Sequence, residues 1–165
     1  MNIKWVIILS IILGTFGGLL HAQELHKTHG DWKVFTYKQG GEKFCYVASV
    51  PNKKTGNYTK RGEPFLLVTY RPSSTDEVSV SSGYPYKKKS TVKITIDKKS
   101  HKLFTEDERA WAYDAKQDAA LIAAMKKGSS MEVRGTSKKG TYSADTYSLK
   151  GITAALSDMS KRCKK

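Results

Sequence analysis

The chain has 165 residues, with 29 Lys and Arg against 15 Asp and Glu, for a formal net charge of +14. This length holds one ordinary domain, and no internal repeat or low-complexity linker marks a boundary for a second. The charge predicts affinity for polyanions or anionic membrane faces and leaves the fold open.

The N-terminus has the layout of a secretory signal. Lys4 precedes sixteen uncharged residues, Trp5 to Leu20, and then the polar stretch "HAQEL". A positive start, a short apolar run and a small residue before polar sequence describe a cleavable signal peptide. The run is shorter than the roughly 20 residues that span a bilayer as a helix. Residues 1–22 are therefore assigned to the signal, with Gln23 as the mature N-terminus. The mature domain, residues 23–165, is expected to be exported, to the periplasm or the cell surface. It keeps a net charge of +13, because the signal removes only Lys4.

Mature residues up to "HG" read as a frayed tail carrying His26 and His29. "DWKVFTY" then places Trp32, Val34 and Thr36 on one strand face. A turn at Gly40-Gly41 leads into "KFCYVASV", which predicts a hairpin. "PNKKTGNYTKRGEP" reads as a polar loop. "FLLVTY" is apolar on both faces and reads as a central strand, followed by the alternating "DEVSVSS" and the loop "GYPYKKKS". In "TVKITID", Val92, Ile94 and Ile96 point inward and Lys93 and Thr95 outward. A Lys-rich turn holding His101 leads into "KLFTEDE" and then "RAWAYD".

"DAKQDAALIAAMKKG" predicts a helix with Asp114 as N-cap, Gln117 completing a capping box, and Gly128 in a left-handed C-terminal position. "SMEVRGTS" and "GTYSADTYS" follow as strands around Lys139-Gly140. A closing helix, with Ser148 as N-cap, places Ile152, Ala155, Leu156, Met159 and Cys163 on one stripe. About eight strands and two short helices, one at the C-terminus, indicate a mainly β fold. An antiparallel β-sandwich with edge helices is expected, and an eight-stranded barrel is the rival.

The two cysteines, Cys45 and Cys163, fit an exported chain. An even count in an oxidising compartment predicts one intramolecular disulfide, tying the last helix to an early strand. Closing a loop of about 100 residues is worth roughly 4–5 kcal/mol in the chain-entropy model.

The basic residues come as pairs and triplets between apolar runs. Lys87, Lys88 and Lys89 are the first candidates for polyanion binding, because three adjacent charges follow "GYPY", whose tyrosines and proline offer a rigid platform. Catalytic signals are sparse. No G-x-S-x-G, P-loop or G-x-G-x-x-G is present, and the disulfide consumes both thiols. No histidine has zinc-like spacing to other ligands. The acidic "TEDERAWAYD" stretch, with Glu106, Asp107, Glu108 and Asp114, reads as a solvated turn. A binding protein without enzymatic activity, cofactor, metal or small-molecule substrate is expected. An inhibitor or adhesin module is the alternative, and a basic single-strand nucleic-acid platform is a weaker one, since export removes that partner. The sequence does not indicate an oligomeric state.

The succession "HGDWKV", "CYVAS", "FLLVTYRP" and "LIAAMKKG" with the later "YSLKG", "AAL" and final cysteine resembles the invasion-associated locus B family. These are exported proteins of Gram-negative, mainly alphaproteobacterial, bacteria. The likeness runs from about Gly30 to Cys163. It implies a β-rich periplasmic or surface-associated protein, linked in some pathogens to host-cell entry, and implies no defined reaction. Members typically carry a further cysteine soon after the tryptophan; here that place is Phe35 or Thr36.

Overall fold

Alternation becomes strand wherever one face can be buried. In β7 (Thr91–Ile96) Val92, Ile94 and Ile96 are buried and Lys93 is exposed. β8 (Lys99–Glu106) returns beside it through Asp97-Lys98, both at positive φ. Two such residues match the right-handed twist of the strands they join. Gly40-Gly41 does the same between β2 (Trp32–Gln39) and β3 (Glu42–Ser49), where the hairpin was expected. The computed structural model describes residues 23–163 apart from residue 73. The assigned signal, 1–22, and the last two lysines lie outside the described residues.

Among the described residues, eleven strands form one antiparallel sheet. The remainder are β1 (Glu24–His29), β4 (Lys53–Gly56), β5 (Phe65–Thr69), β6 (Glu77–Ser81), β9 (Arg109–Trp111), β10 (Ser130–Thr136) and β11 (Tyr142–Ser148). Their order is β1-β2-β3-β5-β6-β9-β8-β7-β10-β11-β4. Hydrogen bonds link segments near the two ends of this order. Beyond β3 the chain crosses to β11, with Asn52 N–H donating to Thr146 O at 2.9 Å, and the Trp32 indole donates to Ser148 O at 3.1 Å. One continuous sheet thus takes the place of the two separate sheets expected of a sandwich.

Two strands escaped the sequence reading. β1 and β4 lie at the sheet edges, and their residues are almost all exposed, so no apolar period marks them. Their charged side chains suit edges that must resist pairing with other chains. His26 and His29 therefore belong to a paired strand, not a frayed tail. His101 lies in β8 opposite Ile94, not in a turn.

The core is filled by Trp32, Val47, Leu66, Ile94, Leu103 and Met131, all at most 2% exposed. α1 (Ala115–Lys127) adds Leu121 and Met125, and α2 (Ile152–Cys163) adds Ile152, Ala155, Leu156 and Met159. Asp114 caps α1 by accepting from Gln117 N at 2.7 Å. Gln117 reaches back to Tyr113 N at 2.8 Å, one residue before the cap itself. Two end signals were misread. Gly128 is extended at φ −80°, and it must be glycine because a Cβ would press on Ile96 and Leu149. Ser148 ends β11, and α2 instead starts after Gly151, whose φ is +96° and whose Cα faces the His29 carbonyl too closely to admit a Cβ. Among the described residues no helix is long and apolar enough to cross a membrane.

Candidate functional site

Cys45 is fully buried on the core face of β3, and Cys163 closes α2. They are bonded, with Cα atoms 6.1 Å apart across a sequence separation of 118. The stripe that predicted Cys163 to face the core does so, and both cysteines are structural.

Lys87, Lys88 and Lys89 are exposed on the β6–β7 connection. Lys87 N–H donates to Thr136 O at 3.0 Å, and Lys138 N–H donates to Pro85 O at 2.8 Å. This connection and the 138–140 turn therefore lie side by side. The expected tyrosine platform is absent. Tyr84 and Tyr86 are 8% and 4% exposed, and their hydroxyls bond Ser143 Oγ at 2.7 Å and Ser82 Oγ at 2.8 Å. Alternation within "GYPY" turns both rings into the core and leaves only Pro85 outside.

What extends the triplet is the neighbouring sheet face. Register places Lys102 of β8 opposite Lys93 of β7, and Lys93 opposite Arg134 of β10. All three are exposed. Arg134 also bonds Glu132 at 3.1 Å and lies over the Tyr142 ring at 5.9 Å. Thr91, Lys93, Arg134, Thr136 and Tyr142 line a shallow depression of about 240 Å³. The acidic "TEDE" stretch becomes the β8–β9 turn, and Asp107 O accepts from Tyr86 N at 2.7 Å. This turn lies beside the basic connection through its backbone, and Asp114 is used as a helix cap.

The outer face of β2, β3, β5, β6 and β9 forms a second site. One cross-strand row reads Ala48, Leu67, Ser79, small or medium side chains that make a low floor ending at Trp111. On one side Phe35 stacks on Tyr46 at 5.1 Å, and beyond them Tyr37 stacks on Phe44 at 5.0 Å. On the other side stand Phe65 and Arg109. The result is an open cleft of about 650 Å³. Arg71 and Glu77 pair at 2.8 Å within its lining. Arg109 holds its guanidinium 4.7 Å from the Phe65 centroid and donates to Ser79 Oγ at 3.1 Å. Burial lowers the Arg109 pKa, although guanidinium stays charged at any physiological pH. The sequence carried one trace of this cleft: "FLLVTY" is apolar on both faces because Leu66 and Val68 fill the core while Phe65 and Leu67 line the cleft.

The invasion associated locus B (IalB) protein family matches residues 32–160. The crystal structure of invasion associated protein B from Bartonella henselae is similar in fold, with a TM-score of 0.63 at 16% identity, covering 86% of this chain and 98% of that one. No curated protein sequence matches. The family match covers most of the chain, from the buried Trp32 of β2 through nearly all of α2, and the chain belongs to the invasion associated locus B (IalB) family.

Proposed function

We propose that this IalB-family chain is an exported protein that acts by binding and not by catalysis, and that its basic face engages an anionic component of the envelope or of a host-cell surface. The observation that carries this reading is the row Lys102–Lys93–Arg134. Like charges directly opposite on a sheet face destabilise it. Glu132 offsets the charge of Arg134, and the remaining charges, with Lys87, Lys88, Lys89 and Lys138 on the adjoining connection and turn, suit an anionic partner that neutralises them. Export fits the signal-like N-terminus and the disulfide, a bond of oxidising compartments. The link of some family members to host-cell entry fits such a surface.

Each exposed lysine contributes about 1 kcal/mol or less and is screened beyond a Debye length of about 8 Å at physiological salt. Binding should therefore need several clusters together and fall steeply from low to physiological salt. The test measures the protein purified from the exported fraction against anionic lipid vesicles, lipopolysaccharide and a sulfated glycan at two salt concentrations. A variant with Lys87, Lys88 and Lys89 changed to Ser is measured alongside. The reading fails if none of the three is bound or if the variant binds identically. Intact mass checks export: a chain beginning near Gln23 is expected, and one retaining residues 1–22 counts against it.

A further inference from the structure

We propose that the cleft over β2, β3, β5, β6 and β9 binds an acidic sugar, a pyranose ring seated against the aromatic side chains with its carboxylate on Arg109. This site is separate from the basic face and does not depend on it.

The shape follows from the register. Ala48, Leu67 and Ser79 sit in line between larger neighbours, so the row cannot fill the space that the aromatic rows beside it enclose. The volume lies in the range of small-ligand sites, and the lining is half aromatic and aliphatic side chains and half polar ones, Asp31, Lys33, Arg71, Glu77 and Arg109 being charged. Phe35 and Tyr46 are stacked on each other, so the pair is held before any ligand arrives. Such preorganisation lowers the ordering cost of binding.

The polar groups choose the ligand class. Glu77 is engaged by Arg71, whereas Arg109 has no carboxylate within ion-pair distance among the described residues. Its position over Phe65 fixes the guanidinium, and Ser79 Oγ accepts from one nitrogen, leaving other N–H groups free for a planar, bidentate acceptor. A carboxylate meets that geometry. The rest of the ligand must present apolar faces to rings and hydroxyls to the polar rim of Gln23, Asp31, Lys33 and Thr69, and a pyranose ring does both. An extended peptide would seek unpaired backbone groups, but each of these five strands is paired on both sides. An acyl chain would seek a closed, dry tunnel, whereas this cleft is open.

The test titrates the mature protein with a galacturonate disaccharide, its neutral galactose counterpart, acetate and decanoate. Calorimetry and Trp111 fluorescence are the readouts; the core tryptophan, Trp32, is fully buried. The galacturonate disaccharide should bind at least about tenfold more tightly than the neutral one and than acetate. Arg109→Gln should erase the preference for the acidic sugar. Trp111→Leu should weaken both sugars, and the Lys87, Lys88, Lys89 to Ser variant should bind as wild type does. Unchanged thermal unfolding of each variant shows that the fold is kept. No saturable binding of galacturonate, tighter binding of decanoate, or a preference that survives Arg109→Gln overturns the proposal.

Discussion

Arg61 and Asp145, 84 residues apart, form a bidentate ion pair in which both side chains are at most 4% exposed. Arg61 Nη1 also donates to Ser82 O at 2.8 Å, and its guanidinium lies 4.4 Å from the centroid of Tyr58. Burial works against the Arg61 charge, but hydrogen bonding and charge from Asp145 outweigh it and raise its pKa. The pair fastens the loop before β5 to β11. Removing one partner strands the other as a buried charge. Asp145→Ala should therefore lower the unfolding free energy by about 3–5 kcal/mol. Arg61→Met with Asp145→Leu should lose less than that single variant. Urea titrations of the three proteins, compared at equal slope, check both expectations.

The Cys45–Cys163 bond holds the end of α2 against β3. Reduction, or Cys163→Ser, should cost about 2–5 kcal/mol of stability. Peptide mapping without reductant should recover the two cysteines in one linked fragment. A serine variant as stable as wild type would show that packing of Ile152, Leu156 and Met159 suffices without the bond.

Legibility followed burial. β7, the Gly40-Gly41 hairpin, the Asp114 cap and the α2 stripe are all local patterns, set by neighbours within a few residues. β1 and β4 carried no signal because an edge strand outside the core has no side to make apolar. Gly128 was read as a left-handed residue when its real constraint is a distant side chain, Ile96. The disulfide was legible because only one pairing was possible. The cleft and the Lys102–Lys93–Arg134 row were not, since both depend on which residues the register places opposite each other. Phe35, Tyr37 and Phe44 gave no sign of a cleft for the same reason: alternation tells that two faces differ, and not what each of them meets.

At the base of α2, Asp158 accepts from His29 Nε2 at 2.9 Å and from Arg162 Nε at 2.8 Å, which fastens β1 to the helix. The His29 hydrogen bond is the leading cause that lowers the Asp158 pKa. A carboxylate with a lowered folded-state pKa adds stability that is fully present above its unfolded value of about 3.9 and is lost as pH falls through the folded value. Wild type should therefore lose more stability than Asp158→Asn between about pH 5 and pH 2. Chemical denaturation across that range measures the difference; two parallel curves would show that the pair carries no net stability.

Lys93 stands between Lys102 and Arg134, so it meets a like charge on both sides, that of Arg134 being offset in part by Glu132. Its side chain is exposed, while its neighbours Val92 and Ile94 are fully buried, so the position can change without disturbing the core. Threonine suits a strand better than lysine and removes one charge from the row. Lys93→Thr should raise stability by about 0.2–1 kcal/mol, the scale of a cross-strand pair, and the gain should shrink in high salt as screening removes the repulsion. If the row exists to meet an anionic partner, the same substitution should weaken binding to the sulfated glycan. Stability and binding would then move in opposite directions, as happens where a functional site is held at the expense of the fold. Thermal unfolding and glycan binding, each at low and physiological salt, test the two halves independently. A variant that is more stable and binds unchanged would place the contact on Lys87, Lys88 and Lys89 alone, and one that is neither more stable nor weaker in binding would remove the row from the mechanism.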